Sequence, residues 1–140
     1  MFESAFALSD ASRIIAGAVL LTVVTIEFGG TFLLRIASGK VPFTEFQKSF
    51  SRAGHAHAGV LVIFSLIGVV LADASGLEGL WGWVARAAIP LAAILMSGGF
   101  FAAMAGKGRT SPNKAIVVLY AGAASLAVGT LTLGIGLLTA

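Results

Sequence analysis

Polar residues punctuate this chain instead of alternating with its apolar ones. Between them run four nearly unbroken apolar stretches, 14–37, 54–72, 83–105 and 115–140. Each is close to the roughly 20 residues a helix needs to cross about 30 Å of hydrocarbon. Every stretch also carries a heptad-spaced face: Ala16, Leu20, Val23, Glu27, Gly30 and Leu34 in the first; Gly54, Ala58, Leu61, Ser65, Gly68 and Ala72 in the second. Ala88, Ala92, Leu95, Gly99, Ala102 and Gly106 form it in the third, and Gly122, Ser125, Gly129, Thr132 and Gly136 in the fourth, with Tyr120 opposite. Small residues on such faces let backbones approach where lipid is as apolar as leucine. The pattern predicts an all-α integral membrane protein: one domain over 1–140, an up-and-down bundle of four transmembrane helices.

The connections add detail. In "VPFTEFQKSF", Phe43, Phe46 and Phe50 recur at helical spacing behind a Thr44/Gln47 capping box, which predicts a short amphipathic helix on the membrane interface between spans 1 and 2. In "TSPNK", Ser111 can cap the last span with Pro112 in its first turn. Pro90 should kink the third span and free the carbonyl of Arg86. The hydroxyls of Thr22, Thr25, Ser65, Ser125, Thr130 and Thr132 can bond to their own helix backbones. "GGTFLLRIASGK" and "GGFFAAMAGKG", near the ends of spans 1 and 3, echo each other as a duplicated hairpin would.

Composition agrees with the pattern. The chain is 58% hydrophobic and 11% charged, with a mean hydropathy of +1.00, far from the roughly 25% charged residues of soluble domains. Without cysteine, thiolate metal sites, disulfides and thiol redox chemistry are excluded. Residues before Ile14 include Glu3 and Asp10 and no basic cluster, so the first span is expected to stay and not act as a cleaved signal. The net charge of +3 does not point to nucleic acid, because the basic residues sit beside the spans. Arg35, Lys40, Lys48 and Arg52 follow the first span, and Lys107, Arg109 and Lys114 follow the third. The positive-inside rule makes that side cytoplasmic and puts both termini outside with Glu3, Asp10, Asp73 and Glu78. Trp81 and Trp83 fall at the depth of an interfacial aromatic belt, and Arg13 and Arg86 are exceptions near enough to the outer end to snorkel.

Glu27 is the most informative residue. An ionisable group in mid-span costs roughly 2.5 kcal/mol or more and normally marks a function. A carboxyl there can take up and release a proton, which suits proton-coupled transport or a proton relay; the structural alternative is one interhelical hydrogen bond. His55 and His57 of "GHAHAG" point about 200° apart on a regular helix, so they do not chelate together. Measured from the small-residue stripe, His57 is about 60° and His55 about 100° from the inward direction. His57 is therefore expected inside and His55 at the headgroups. Counting about 1.5 Å per residue, Glu27, His57, Tyr120 and Ser97 reach similar depths and could share a polar site. Haem would need a pair such as His57 with Met104 or Met96. Zinc or copper could use His57 with Glu27, with His55 as a further candidate, although a third ligand on the same site is hard to find.

The segment "EFGGTFLLRIASG", Glu27 to Gly39, resembles the first helix of small multidrug resistance transporters, where a membrane-embedded Glu precedes Gly-Thr, an apolar pair and a basic residue. In that family the Glu binds cationic substrate and protons in competition, and the resemblance implies this role for Glu27 alone. The whole chain also resembles small four-span bacterial membrane proteins of unassigned function, and its Ala- and Gly-rich usage suits a high-GC bacterium, hence a bacterial cytoplasmic membrane. Three readings follow: a small proton-linked transporter or proton relay; an accessory or assembly subunit of a larger membrane complex, such as a respiratory one, or a homo-oligomer; and a haem- or metal-binding membrane protein. Hydrolysis has no support, because no nucleophile, base and acid come together.

Overall fold

A computed structural model describes residues 7–140; Glu3 lies outside them. The described residues contain four long helices and no strands: α1 (Asp10–Ala37), α2 (Glu45–Ala74), α3 (Gly79–Met104) and α4 (Ile116–Thr139). All four are long and apolar enough to cross a membrane. Their outer surface is hydrocarbon, with Ile14, Leu21, Phe28, Ile94 and Leu138 each more than two thirds exposed. A soluble monomer rarely shows such a surface; a bilayer requires one. The chain is therefore a multi-pass membrane protein.

The expected interfacial helix is not a separate element. Phe46 and Phe50 belong to the first turns of α2, which runs unbroken through Gly54. The capping box is present, with Thr44 accepting from the Gln47 amide and Gln47 reaching back to the Thr44 amide. It starts α2 itself. The Gln47 side chain is buried and donates to the carbonyls of Met104 at 3.1 Å and Gly106 at 2.7 Å, while the Thr44 hydroxyl donates to the Arg109 carbonyl. A carbonyl in the last turn of α3 and one in the loop after it are thereby paired, and the two basic loops are fastened together at one end of the molecule, the basic end. Phe50 meets Phe100 edge-on, which holds this lower part of α2 against α3.

The last helix begins later than "TSPNK" suggests. Ala115 is its N-cap and no side chain caps it. Asn113, not Ser111, organises the turn: its side-chain amide donates to Ala102 and Ala105, its oxygen accepts from the Ala115 amide, and its own amide donates to Ala103. At the opposite end a tight turn with Gly76 at φ 66° joins α2 to α3, and the Ser75 hydroxyl closes α2 on the Ala72 carbonyl.

α2 and α3 form the central pair, with α4 packed along α3 and α1 along α2; α1 does not reach α4. The stripes expected for α2 and α4 are the buried ones, with Gly54, Leu61, Ser65, Gly68 and Ala72 inside α2 and Gly122, Gly129 and Gly136 inside α4. In the α3–α4 seam the backbones nearly touch. A Cβ on Gly122 would lie 2.6 Å from the Met96 side chain and 2.7 Å from its backbone nitrogen, and one on Gly99 would meet the Leu119 backbone. Ser125 does not bond within α4; its hydroxyl crosses to the Ala88 carbonyl of α3 at 2.8 Å. Thr22, Thr25, Ser65 and Thr130 do bond their own helices.

α3 follows its expected stripe only in part: Ala92 and Gly99 are buried, but so are Ile89, Met96 and Ala103, and Gly106 lies beyond the helix. α1 is the least covered helix: Ser12, Val19 and Ile36 are its buried residues. Of its expected stripe Ala16, Val23 and Gly30 are half-buried, as Ile15, Ile26, Gly29 and Leu33 are, while Leu20, Glu27 and Leu34 are exposed. An apolar cleft of about 350 Å³ separates the middle of α1 from α2 and α3, with Val19, Ile26, Val62 and Ala93 among its walls. α1 is thus attached mainly at two places, one on each side of the cleft.

Candidate functional site

The attachment nearer the basic end contains His55. Glycines at 29 and 30 leave α1 without side chains there, and the imidazole of His55 lies in the notch. A Cβ on Gly30 would stand 3.5 Å from its Cε1, and one on Gly29 would stand 3.6 Å from its Nδ1. Glu27 is on the next turn of α1, about 15 Å from the Ala37 end by helix rise. Its side chain is exposed on the membrane-facing surface. The ion pairs among the described residues are Arg13–Asp10, Lys48–Glu45 and Arg86–Asp73, and Glu27 is in none of them.

His57 faces the other way. Its Nδ1 donates to the Ala53 carbonyl at 2.8 Å, and its ring packs 4.8 Å from that of Phe100 on α3. With respect to α1, it is His55 and not His57 that lies at Gly29 and Gly30, while His57 packs against α3. The reason is geometric. α2 has a neighbour on each side, so residues about 200° apart both find protein, one against α1 and one against α3.

The remaining candidates are dispersed. Tyr120 is 64% exposed on α4, and because α1 and α4 are not in contact, one chain does not bring it to Glu27. The Ser97 hydroxyl is buried on α3 without a hydrogen-bond partner. Met96 fills the α3–α4 seam against Gly122, and Met104 is buried at the end of α3 where Gln47 docks. Among the described residues no three of His, Asp and Glu form a group able to hold a metal ion.

The second attachment of α1 is a polar cluster that the sequence reading did not foresee. Asp73 accepts from the Ser9 amide at 2.8 Å, the Ser9 hydroxyl at 3.0 Å and the Ser12 hydroxyl at 2.9 Å. It also accepts from Arg86 Nη2 at 2.7 Å and Nε at 3.1 Å. The Asp73 and Arg86 side chains are only 16% and 17% exposed, so Arg86 turns inward and does not snorkel. Arg13, by contrast, stays exposed and pairs with Asp10. Opposite charges near the same end of consecutive helices were the available signal. Gly82 makes room for the cluster, because a Cβ there would lie 2.9 Å from Arg86 Nη1 and 2.6 Å from the Leu77 carbonyl oxygen.

No protein-family model, curated protein or solved structure matches this chain.

Proposed function

We propose that this protein exchanges protons at Glu27, with His55 as the neighbouring imidazole, in proton-linked transport or a proton relay. The supporting observation is a mid-span carboxyl that is in none of the ion pairs among the described residues, three residues along α1 from the Gly30 position against which the His55 imidazole lies. Such a carboxyl is costly in a bilayer unless it serves a function. The local resemblance to the first helix of small multidrug resistance transporters falls on the same residue. In reconstituted vesicles carrying a pH-sensitive dye, Glu27→Gln abolishes proton flux, His55→Ala alters its pH dependence and His57→Ala does little. Unchanged flux in Glu27→Gln overturns this reading.

The alternative, an accessory or assembly subunit of a larger membrane complex, is favoured by a different observation. α1 leaves most of its surface, Glu27 included, uncovered by its own chain. Stoichiometric co-purification with other membrane proteins, combined with flux that does not depend on Glu27, would put this reading first. Haem or metal binding is the third reading: the His57 Nδ1–H on the Ala53 carbonyl leaves Nε2 as the free donor, while among the described residues no three of His, Asp and Glu come together. We read the basic end as the cytoplasmic side on charge asymmetry, and the membrane as bacterial on the Ala- and Gly-rich composition. Labelling of Lys107→Cys from outside intact cells contradicts that orientation.

A further inference from the structure

At the basic end a cavity of about 520 Å³ opens where the end of α1, the connection into α2 and the end of α3 meet. Phe32, Phe43 and Phe101 supply apolar walls, and the rings of Phe32 and Phe43 stand edge-on with centroids 6.0 Å apart. Another wall is the loop of Gly106, Lys107 and Gly108. Its path needs glycine on both sides of the lysine, because φ is 121° at Gly106 and 64° at Gly108. Lys107 is exposed and is in none of the ion pairs among the described residues. The amides of Gly106, Lys107 and Gly108 donate to no backbone carbonyl among those residues, so one cavity combines three aromatic rings with a cation and free N–H donors.

We propose that this cavity binds an anionic phospholipid, with the phosphate on Lys107 and its neighbouring amides and the upper part of an acyl chain among the phenylalanines. Charge complementarity names the occupant. Seven of the chain's nine basic residues lie at this end with a single acid, Glu45, and that carboxylate is already held by Lys48 at 2.8 Å. Basic pockets between membrane helices recognise anionic headgroups. A free phosphate would satisfy Lys107 and leave the aromatic walls empty, whereas a lipid of the surrounding bilayer supplies both parts. The acyl chain also has a place to continue. The apolar cleft of α1 is on the same flank, with Ile26 of α1 and Ile94 of α3 among its walls. Phe32 to Ile26 and Phe101 to Ile94 are each about 10 Å by helix rise, and one leaflet's share of the hydrocarbon is about 15 Å deep. A chain that passes the phenylalanines therefore reaches the cleft.

Native mass spectrometry tests this on the whole protein, released from detergent micelles after incubation with equal amounts of phosphatidylglycerol and phosphatidylcholine that carry the same acyl chains. The protein retains one phosphatidylglycerol and little phosphatidylcholine. Lys107→Gln lowers the retained phosphatidylglycerol about fivefold, the loss of one basic contact to an anionic headgroup. Lys114→Gln changes it little, because that exposed lysine of the same loop is outside the cavity. Ala105→Trp fills the cavity from its lining and removes the lipid with Lys107 intact. Ala105 and Lys107 are both exposed, so neither change disturbs a buried contact. Equal retention of the two lipids overturns the proposal, and so does an equal loss in Lys107→Gln and Lys114→Gln, which is diffuse charge attraction. Displacement of the lipid by millimolar inorganic phosphate overturns it as well, since the acyl chain would then contribute nothing. No arm of the test involves Glu27, so the lipid site can fail while proton exchange stands, and the converse.

Discussion

Removing the Asp73 carboxylate should release one end of α1. In Asp73→Ala the Arg86 guanidinium, 17% exposed, keeps its position but loses its counter-charge, and the donors on Ser9 and Ser12 lose their shared acceptor. Truncating one partner of a buried pair costs about 3–5 kcal/mol. The residual exposure of both groups argues for the lower end, about 3 kcal/mol. Asp73→Asn keeps the shape and an acceptor oxygen and should cost less, about 1–2 kcal/mol. Replacing both partners, as in Asp73→Ala with Arg86→Met, should recover part of the loss because no charge is then stranded. Denaturant unfolding in detergent micelles gives the energies, and a Val19→Cys reporter, buried in the parent, locates the damage. Its thiol should become reactive in Asp73→Ala well below the midpoint of global unfolding. A cost under about 0.5 kcal/mol, or a loss of stability with Val19→Cys still protected, would refute the two-point attachment of α1.

Two further predictions concern the tighter half of the molecule. Gly122→Val should destabilise by about 1–3 kcal/mol through overpacking, since the first added carbon already meets the Met96 backbone; the same change at Gly134, with open space around it, should be nearly neutral in the same unfolding assay. Gln47→Ala should cost about 1–3 kcal/mol by leaving the Met104 and Gly106 carbonyls without their donor, and limited proteolysis should then cut the loop between α3 and α4 faster.

The helices were legible because a span is a matter of length and apolarity, and none of the four depends on fine pattern. The packing faces of α2 and α4 were legible for a similar reason, since Gly54, Gly68, Gly122 and Gly129 mark close approach directly. α1 misled because its apolar residues surround it. With no polar side to oppose, periodicity puts Glu27 and Gly30 on one inward face, whereas the small residues that seat α1 beside His55 are Gly29 and Gly30 and Glu27 is exposed. The facing of the two histidines depended on knowing that α2 has neighbours on both sides, which periodicity alone does not supply. The Ser9, Ser12, Asp73 and Arg86 cluster escaped because its members lie on three segments. Charge counting had assigned Asp73 to a loop and Arg86 to the headgroups.

Infrared spectroscopy of the protein in vesicles tests the central claim most directly. The carbonyl stretch of a protonated Glu27 carboxyl, identified by its absence in Glu27→Gln, should change in intensity as the pH is varied over the range in which the protein stays folded, and the change should differ in His55→Ala but not in His57→Ala. A band that stays at full intensity across that range would contradict the claim and make Glu27 a fixed hydrogen-bond donor.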